Sequence, residues 1–167
     1  ALDPAAGQKT GLYLDQRWNW RRFAEFARGG DVLDAFAYHG HFGLYAAAAG
    51  AKSVTVIESS PVAAERIAAN AALNGAALEL LVENAFDALR RLESDGRRFS
   101  LVSLDPPSFT RGPARSGASY RGYKEINRRA LGLLAPGGVL FTSSCSFHTS
   151  REDFRAMLAD AARDVRR

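Results

Sequence analysis

The chain has 167 residues, of which 47% are hydrophobic, and this is enough for one globular domain with its own core. No apolar run approaches the roughly 18 residues that a membrane-spanning helix needs. The single cysteine excludes an internal disulfide bond and favours a reducing, cytoplasmic location. A formal net charge of +4 is compatible with an anionic partner such as RNA but does not require one.

Strand and helix patterns alternate along the chain from residue 31 onwards. The predicted strands are short apolar runs bounded by turn residues, at 31–36, 53–59, 78–84, 99–105 and 139–144. The predicted helices are an alanine-rich segment ending at Gly50, a segment from Pro61 to Asn74, and segments 85–96, 123–138 and 150–167. This alternation predicts a parallel sheet covered by helices on both faces. The predicted fold class is therefore α/β, doubly wound and mostly parallel.

A polar residue lies at or just beyond the carboxyl end of each predicted strand. These residues are Asp34, Glu58, Asn84, Asp105 and Cys145. Doubly wound sheets bind ligands beyond the carboxyl ends of their strands, at the point where the strand order reverses. The five side chains therefore predict one active-site edge.

The turn AYHGHFG after the first strand contains Gly40 and Gly43, which let the backbone approach a ligand closely. Because the turn has no G-K-[ST] and no G-x-G-x-x-G, a P-loop NTPase and a dehydrogenase are disfavoured. Glu58, about 20 residues beyond the turn, is placed to bind the two hydroxyls of a ribose. His39 and His41 lack further ligands at a suitable spacing, so no metal site is predicted.

The stretch LDPPSF at 104–109 is the most specific signal in the chain. Asp105 closes a buried strand, and Pro106 and Pro107 then impose a rigid turn that projects backbone carbonyls into the crevice. This geometry suits gripping the amino edge of a flat base, with Phe109 as a stacking surface. The alternative is a proline-rich strand exit without a ligand.

Basic residues follow this stretch in or beside a long loop. They are Arg111, Arg115, Arg121 and Lys124. At this position they could reach phosphates flanking a target base, which makes Arg121 and Lys124 candidate substrate-binding residues. Ordinary solvated surface residues are the alternative interpretation.

Several stretches together resemble class I S-adenosylmethionine-dependent methyltransferases. More narrowly, they resemble the catalytic domain of the large-subunit ribosomal RNA methyltransferase I family, which makes 5-methylcytosine. The stretches are GQKTGLYLDQR (7–17), DAFAYHGHFG (34–43), NAF (84–86), DPPSF (105–109), RGYKEINRRAL (121–131) and SSCS (143–146). The resemblance covers nearly the whole chain and implies a Rossmann-like methyltransferase sheet, S-adenosylmethionine as cofactor and ribosomal RNA as partner.

The resemblance implies a cofactor pocket bordered by an N-terminal hairpin and by the glycine, adenine and proline motifs. The implied cofactor-binding residues are Lys9, Thr10, Asp15, Gln16, Arg17, Asp34, Phe36, Gly40, Glu58, Asn84, Ala85, Phe86 and Asp105. His39, His41 and Asn84 depart from the family pattern, which has small residues at the first two positions and Asp at the third. The carbonyl oxygen of Asn84 can still accept a hydrogen bond from an adenine amino group.

The same resemblance implies that residues 1–167 form one catalytic domain of a longer protein. Relatives carry an N-terminal RNA-binding domain and two further strands after the closing helix. We therefore expect five core strands with an exposed edge, together with the remnant of the N-terminal hairpin. The oligomeric state is left open.

The resemblance assigns Cys145 and Asp105 as catalytic residues, and the chemistry supports this assignment. Carbon 5 of cytosine is a poor nucleophile until a thiolate adds to carbon 6. Asp105 beside the base would hold ring nitrogen 3 protonated and so balance the charge that the addition creates. A lone cysteine more often serves as a small apolar residue, which is the alternative interpretation.

Two alternative functions remain open on the sequence. DPPSF is also close to the turn of methyltransferases that act on a guanine or amino nitrogen, and these need no covalent catalyst. A second alternative is a catalytically silent module that binds the cofactor and RNA.

Overall fold

The structure is a computed structural model that describes residues 13–109, 117–146 and 149–166. Five parallel strands form one sheet in the order β3-β2-β1-β4-β5. The strands are β1 (Asp31–Ala35), β2 (Ser53–Glu58), β3 (Glu79–Val82), β4 (Phe99–Leu104) and β5 (Leu134–Thr142). The helices are α1 (Arg17–Ala24), α2 (His41–Ala48), α3 (Pro61–Leu73), α4 (Ala85–Ser94), α5 (Gly117–Leu133) and α6 (Arg151–Asp164). The doubly wound α/β prediction is confirmed.

The core consists of two apolar layers, one on each face of the sheet. Because successive side chains of a strand point to opposite faces, neighbours such as Val32 and Leu33 belong to different layers. One layer packs the sheet against α1, α2 and α3, and its largest fully buried side chain is Phe23. The other packs it against α4, α5 and α6, around Phe99 and Leu133.

Side-chain caps fix where three helices begin beyond the strands. The side chains of Ser60, Asn84 and Ser150 accept hydrogen bonds from backbone amides in the first turns of α3, α4 and α6. Such caps satisfy amides that have no partner within the helix. They hold the β2–α3 and β3–α4 turns in place at the carboxyl edge of the sheet.

The boundary between α5 and β5 differs from the prediction. The helix was predicted to run to residue 138, but α5 ends at Leu133 and β5 begins at Leu134, which pairs with Phe99 of β4. The pairing register shifts between Phe99 and Leu101, and this irregularity accommodates Pro136 within the edge strand. Local helical periodicity therefore placed the end of α5 too far along the chain, because backbone pairing with β4 determines where β5 begins.

Only the last residues of the predicted N-terminal hairpin, from Tyr13 to Arg17, are described, so the hairpin stays a prediction. Residues Leu14–Gln16 form a 3₁₀ helix that leads directly into α1, an element that the strand–helix pattern did not predict. Trp20 and Phe23 of α1 are buried in the layer shared with α2. Residues 7–12 of the motif lie outside the described residues. Of the helices that the structure describes, none has the length and apolar character needed to cross a membrane.

Candidate active site

A cavity of about 1070 Å³ opens at the carboxyl edge of the sheet. The strand order reverses between β1 and β4, and residues following both of these strands line the cavity. The sequence-predicted residues that line it are Asp15, Gln16, Phe36, Glu58, Ala85, Asp105, Pro106, Pro107 and Cys145. Its position is the switch point where doubly wound folds bind ligands.

The turn after β1 has an unusual backbone conformation held by hydrogen bonds to β2. Phe36 and Tyr38 have positive φ angles of 62° and 53°, which residues other than glycine rarely adopt. The Ala37 amide donates to the carbonyl of Ile57 at 3.2 Å, and the Tyr38 amide donates to Glu58 Oε2 at 2.8 Å. These bonds to a buried strand stabilise the strained turn, which forms one wall of the cavity.

Glu58, the last residue of β2, organises the neighbouring loops. Its Oε2 accepts from the Tyr38 amide and its Oε1 from the Ser60 amide, each at 2.8 Å. A carboxylate has about four acceptor positions, so two remain for a ligand. Glu58 is 9% exposed and lines the cavity, which fits the predicted binding of ribose hydroxyls.

Asp34 lies within β1, one residue before its end, and is 1% exposed. Its Oδ2 accepts from the Gly43 amide at 2.9 Å, so the role that the structure shows is to anchor the start of α2. Burial raises the pKa of Asp34 to about 7, and the Gly43 hydrogen bond opposes this shift. Asp34 is not among the described residues that line the cavity, and its cofactor contact stays a prediction.

Glycines let α2 pack tightly behind the cavity. Gly40 has φ +73°, and a Cβ there would lie 3.1 Å from Ile67. A Cβ at Gly43 would lie 3.0 Å from Val56 of β2. Close packing therefore favours glycine at both positions, and the positive φ angle favours it further at Gly40. Gly40 does not itself line the cavity among the described residues.

The motif after β3 has a structural role that the sequence analysis did not predict. Asn84 Oδ1 accepts from the Phe86 amide at 2.9 Å and so caps α4. Ala85 lines the cavity, whereas Phe86 packs against Phe109 with ring centres 5.7 Å apart. Adenine recognition by Asn84 would have to use the remaining acceptor capacity of this oxygen and stays a prediction.

Asp105 follows β4 directly, and its Oδ1 accepts a hydrogen bond from the Ser143 hydroxyl beyond β5. Burial raises the pKa of the Asp105 carboxyl, Ser143 lowers it, and the negative charge of Asp15 raises it further. A raised pKa favours a carboxyl group that can donate a proton, which suits a group facing a ring nitrogen.

Cys145 lies three residues beyond β5 and is solvent-exposed at the cavity. Its Sγ is 3.7 Å from the carbonyl oxygen of Pro106. Pro106 is buried, whereas the next residue, Pro107, is exposed. The predicted convergence of Cys145 with the Asp105-Pro106 turn is therefore present. This arrangement places a thiol and a carboxyl group in the lining of the same cavity.

Phe109 was predicted to offer a stacking face to a base, but its half-buried ring packs against other aromatic residues. Its ring centre lies 4.7 Å from that of Tyr123, 5.7 Å from Phe86 and 6.4 Å from Phe36. It is not among the described residues that line the cavity. The structure therefore supports a packing role for Phe109 between β4 and α5, and base stacking stays a prediction.

The sequence analysis missed an aromatic wall of the cavity. Trp20 stacks on His41 with ring centres 4.2 Å apart and planes 10° apart, and Tyr13 meets Tyr38 edge-on at 5.8 Å. Burial lowers the pKa of His41 to about 4, so its ring is neutral near pH 7. These contacts join residues far apart in sequence, and only His39 and His41, which are separated by one residue, gave a local signal.

The remaining predicted residues lie away from the cavity lining or outside the described residues. Arg17 and Arg121 are exposed, and Lys124 forms an ion pair with Asp164 at 2.9 Å. Lys9, Thr10, Arg111 and Arg115 lie outside the described residues. RNA contacts by Arg121 and Lys124 stay predictions. Within the described residues, no cluster of three or more His, Cys, Asp or Glu could hold a metal ion.

A doubly wound parallel sheet with a carboxylate at the end of β2 and a large cavity at its switch point is typical of proteins that bind a nucleotide cofactor. Residues 1–165 match the family of S-adenosylmethionine-dependent methyltransferases. The chain belongs to this family, whose cofactor is S-adenosylmethionine.

Curated relatives and solved structures agree with this family. The chain is 41% identical to the ribosomal RNA large subunit methyltransferase I of Shewanella denitrificans, over 100% of this chain and 43% of that protein. It is 43% identical to the protein of the same name from Pseudoalteromonas atlantica, over 96% of this chain and 42% of that protein. The chain thus spans less than half the length of these relatives. The crystal structure of SMU.776, a methyltransferase complexed with SAH, shares the fold, with a TM-score of 0.81 and 24% identity over 93% of this chain and 42% of that one.

Proposed function

We propose that this chain methylates carbon 5 of a cytosine in ribosomal RNA, with Cys145 as the covalent nucleophile. The observation that carries the proposal is the exposed Cys145 thiol beside the Asp105-Pro106 turn, in the same cavity as Glu58. The ribosomal RNA substrate is the one in the names of the curated relatives.

The cavity fits the cofactor of the family. Its volume of about 1070 Å³ has room for a nucleoside-containing molecule together with a substrate base. Glu58 keeps free acceptor positions for ribose hydroxyls, while Phe36 and Ala85 supply apolar surface near it. When bound, S-adenosylmethionine would supply a methyl group on a positively charged sulfur, and this sulfur would keep the bonding electrons and become a neutral thioether when the methyl group leaves.

Cys145 makes carbon 5 reactive. Its thiolate forms a bond from Sγ to carbon 6, and the electrons of the 5,6 double bond make carbon 5 nucleophilic. Carbon 5 gains the methyl group and then loses its own proton to a base. The Sγ–carbon 6 bond breaks as the double bond re-forms, and the thiolate is regenerated.

Asp105 balances the charge created by this addition. Thiolate addition places negative charge on the ring, and a proton at ring nitrogen 3 neutralises it. Burial raises the pKa of Asp105, so the carboxyl can hold and donate that proton, and Ser143 keeps it oriented. Methylation of carbon 5 thus requires two groups, a thiolate that adds to carbon 6 and an acid that faces ring nitrogen 3.

The test is mass spectrometry of nucleosides from unmodified ribosomal RNA incubated with the chain and methyl-labelled cofactor. The proposal expects label in 5-methylcytosine from the wild-type chain and none from Cys145→Ser. Ser94→Ala, which removes an exposed hydroxyl on α4, is the control and should keep wild-type activity.

Other products would identify the alternatives. Label in a methylated guanine or amino nitrogen, with an active Cys145→Ser variant, would favour nitrogen-directed methylation by the Pro106 turn. Cofactor binding without label in any nucleoside would favour the silent binding module.

A further inference from the structure

The outer surface of α1 carries two exposed aromatic rings, each contacted by an arginine. Trp18 is 72% exposed and Phe26, just beyond the helix, is 43% exposed. The guanidinium carbon of Arg21 lies 5.2 Å from the centre of the Trp18 ring, and that of Arg22 lies 5.4 Å from the Phe26 ring. Exposed aromatic surface rimmed by polar groups is typical of an interaction site.

This surface leads away from the cavity. Leu14 is 67% exposed and lines the cavity, and Trp18 follows it four residues later on the continuous 3₁₀–α1 segment. Arg21 and Arg22 come three and four residues after Trp18, and such spacings lie on one face of a helix. We call Leu14, Trp18, Arg21, Arg22 and Phe26 the outer stripe. A chain whose base enters the cavity would meet this stripe at the opening.

The charges near the outer stripe favour a polyanion. Arg17 and Arg21 have no acidic partner among the described residues. Two basic residues of α5 differ, since Lys124 pairs with Asp164 and Arg129 pairs with Glu93. The guanidinium groups of Arg17 and Arg21 therefore remain able to bind phosphate, whereas Arg22 pairs with Glu25.

We infer that the outer stripe, together with the adjacent Arg17, binds single-stranded RNA next to the target nucleotide, with Trp18 stacking on a base and Arg17 and Arg21 binding phosphates. The inference rests on the proposed function, which makes RNA the substrate. Aromatic rings accept any base on their π-face, while arginines follow the backbone. An apolar protein partner would gain less binding free energy from this surface, because the arginines that contact both rings would have to be buried with them.

Trp18 is tested by fluorescence anisotropy with a labelled single-stranded RNA of about 12 nucleotides. Because stacking of one base is lost, Trp18→Ala should weaken RNA binding by roughly 5- to 100-fold. Trp18→Phe, which keeps a ring, should recover part of the affinity. Arg163→Gln on the exposed surface of α6 is the control and should bind RNA like the wild type.

The arginines are tested by the salt dependence of the same binding. Replacing Arg17 and Arg21 together by Gln should reduce the slope of log affinity against log salt by about 1.4, since each phosphate contact to a single strand contributes about 0.7. The chain has two tryptophans, and Trp20 is buried, so RNA should also protect Trp18 fluorescence from iodide quenching. This protection should be absent in Trp18→Ala.

The inference is overturned if the wild type binds RNA and Trp18→Ala binds it equally well. It is also overturned if Trp18→Ala changes the oligomeric state at unchanged RNA affinity, because the stripe would then be a protein interface. Weakened RNA binding by Trp18→Ala in a chain that methylates no cytosine would support the stripe and contradict the proposed function. A wild type that binds no RNA would contradict both.

Discussion

The Cys145 thiol lies 3.7 Å from the carbonyl oxygen of Pro106, although 39 residues separate them in the sequence. Parallel pairing of β4 with β5 brings their carboxyl ends side by side, and the Ser143 amide donates to the carbonyl of Leu104 at 3.0 Å. The paired backbones thus place the Cys145 thiol at the Asp105-Pro106 turn. Cys145 lies three residues beyond the end of β5, so the pairing of β5 with β4 brings it to the Asp105-Pro106 turn.

Glu58 should determine cofactor affinity. Glu58→Gln keeps the size of the side chain but replaces one acceptor oxygen by a donor, so we expect S-adenosylmethionine binding to weaken by about 1–3 kcal/mol. Isothermal titration calorimetry measures this change. Glu65→Gln, at an exposed position on α3, is the matched control. Unchanged affinity in Glu58→Gln would remove Glu58 from the cofactor site.

The hydrogen bond from Ser143 should affect the pH dependence of activity through the pKa of Asp105. Ser143→Ala removes the hydrogen bond that lowers the pKa of Asp105, so this pKa should rise further above its usual value. If the protonated carboxyl is the active form, activity falls as pH rises through this pKa. The descending limb of the kcat/KM profile should therefore move to higher pH in the variant. An ascending limb that moves to higher pH, with the descending limb unchanged, would show instead that Asp105 acts as a carboxylate.

Asp34 should make the protein less stable as pH rises. Its pKa is about 7 in the folded state and near 3.8 when unfolded, so between these values the folded state binds more protons. The free energy of unfolding contributed by Asp34 therefore falls between about pH 4 and 7. In the variant Asp34→Asn the amide side chain cannot titrate, but its oxygen can still accept from the Gly43 amide. Urea unfolding should show that the stability of this variant relative to wild type rises across this range, and parallel curves would contradict the prediction.

His41 should have the opposite effect. Its pKa is about 4 in the folded protein and near 6.5 when unfolded, so between these values the unfolded chain binds more protons. The contribution of His41 to stability is therefore complete above about pH 6.5 and is lost as pH falls towards 4. His41→Phe keeps a ring against Trp20 and should show a smaller loss of stability on acidification, measured by urea unfolding. An equal loss in both proteins would contradict the buried neutral state.

The sequence predicted the sheet and its active edge because alternating elements and the carboxyl ends of strands have local signals. The positions of Glu58, Asp105 and Cys145 at the cavity could be predicted because they depend only on where the strands end. The α5–β5 boundary was misplaced because the pairing of Leu134 with Phe99 is a long-range contact. The stacking of Trp20 on His41 was missed for the same reason, since it depends on how α1 packs against α2.

The covalent role of Cys145 gives the sharpest prediction. In RNA carrying 5-fluorocytosine at the target position, fluorine replaces the proton that must leave carbon 5, so methyl transfer proceeds but elimination is blocked. The wild-type chain should accumulate an enzyme–RNA adduct that survives denaturing electrophoresis and requires S-adenosylmethionine for its stability.

Two variants separate catalysis from packing in the same assay. Cys145→Ser should form no adduct and lose turnover, because a serine hydroxyl stays protonated near pH 7. Asp105→Asn should react more slowly by on the order of 10²-fold, because an amide cannot supply the proton for ring nitrogen 3. Cys145 is exposed, so its replacement by serine should leave the thermal midpoint close to that of the wild type. A Cys145→Ser chain that stays fully active and traps no fluorinated RNA would contradict carbon-5 chemistry and leave nitrogen methylation as the better explanation of the site.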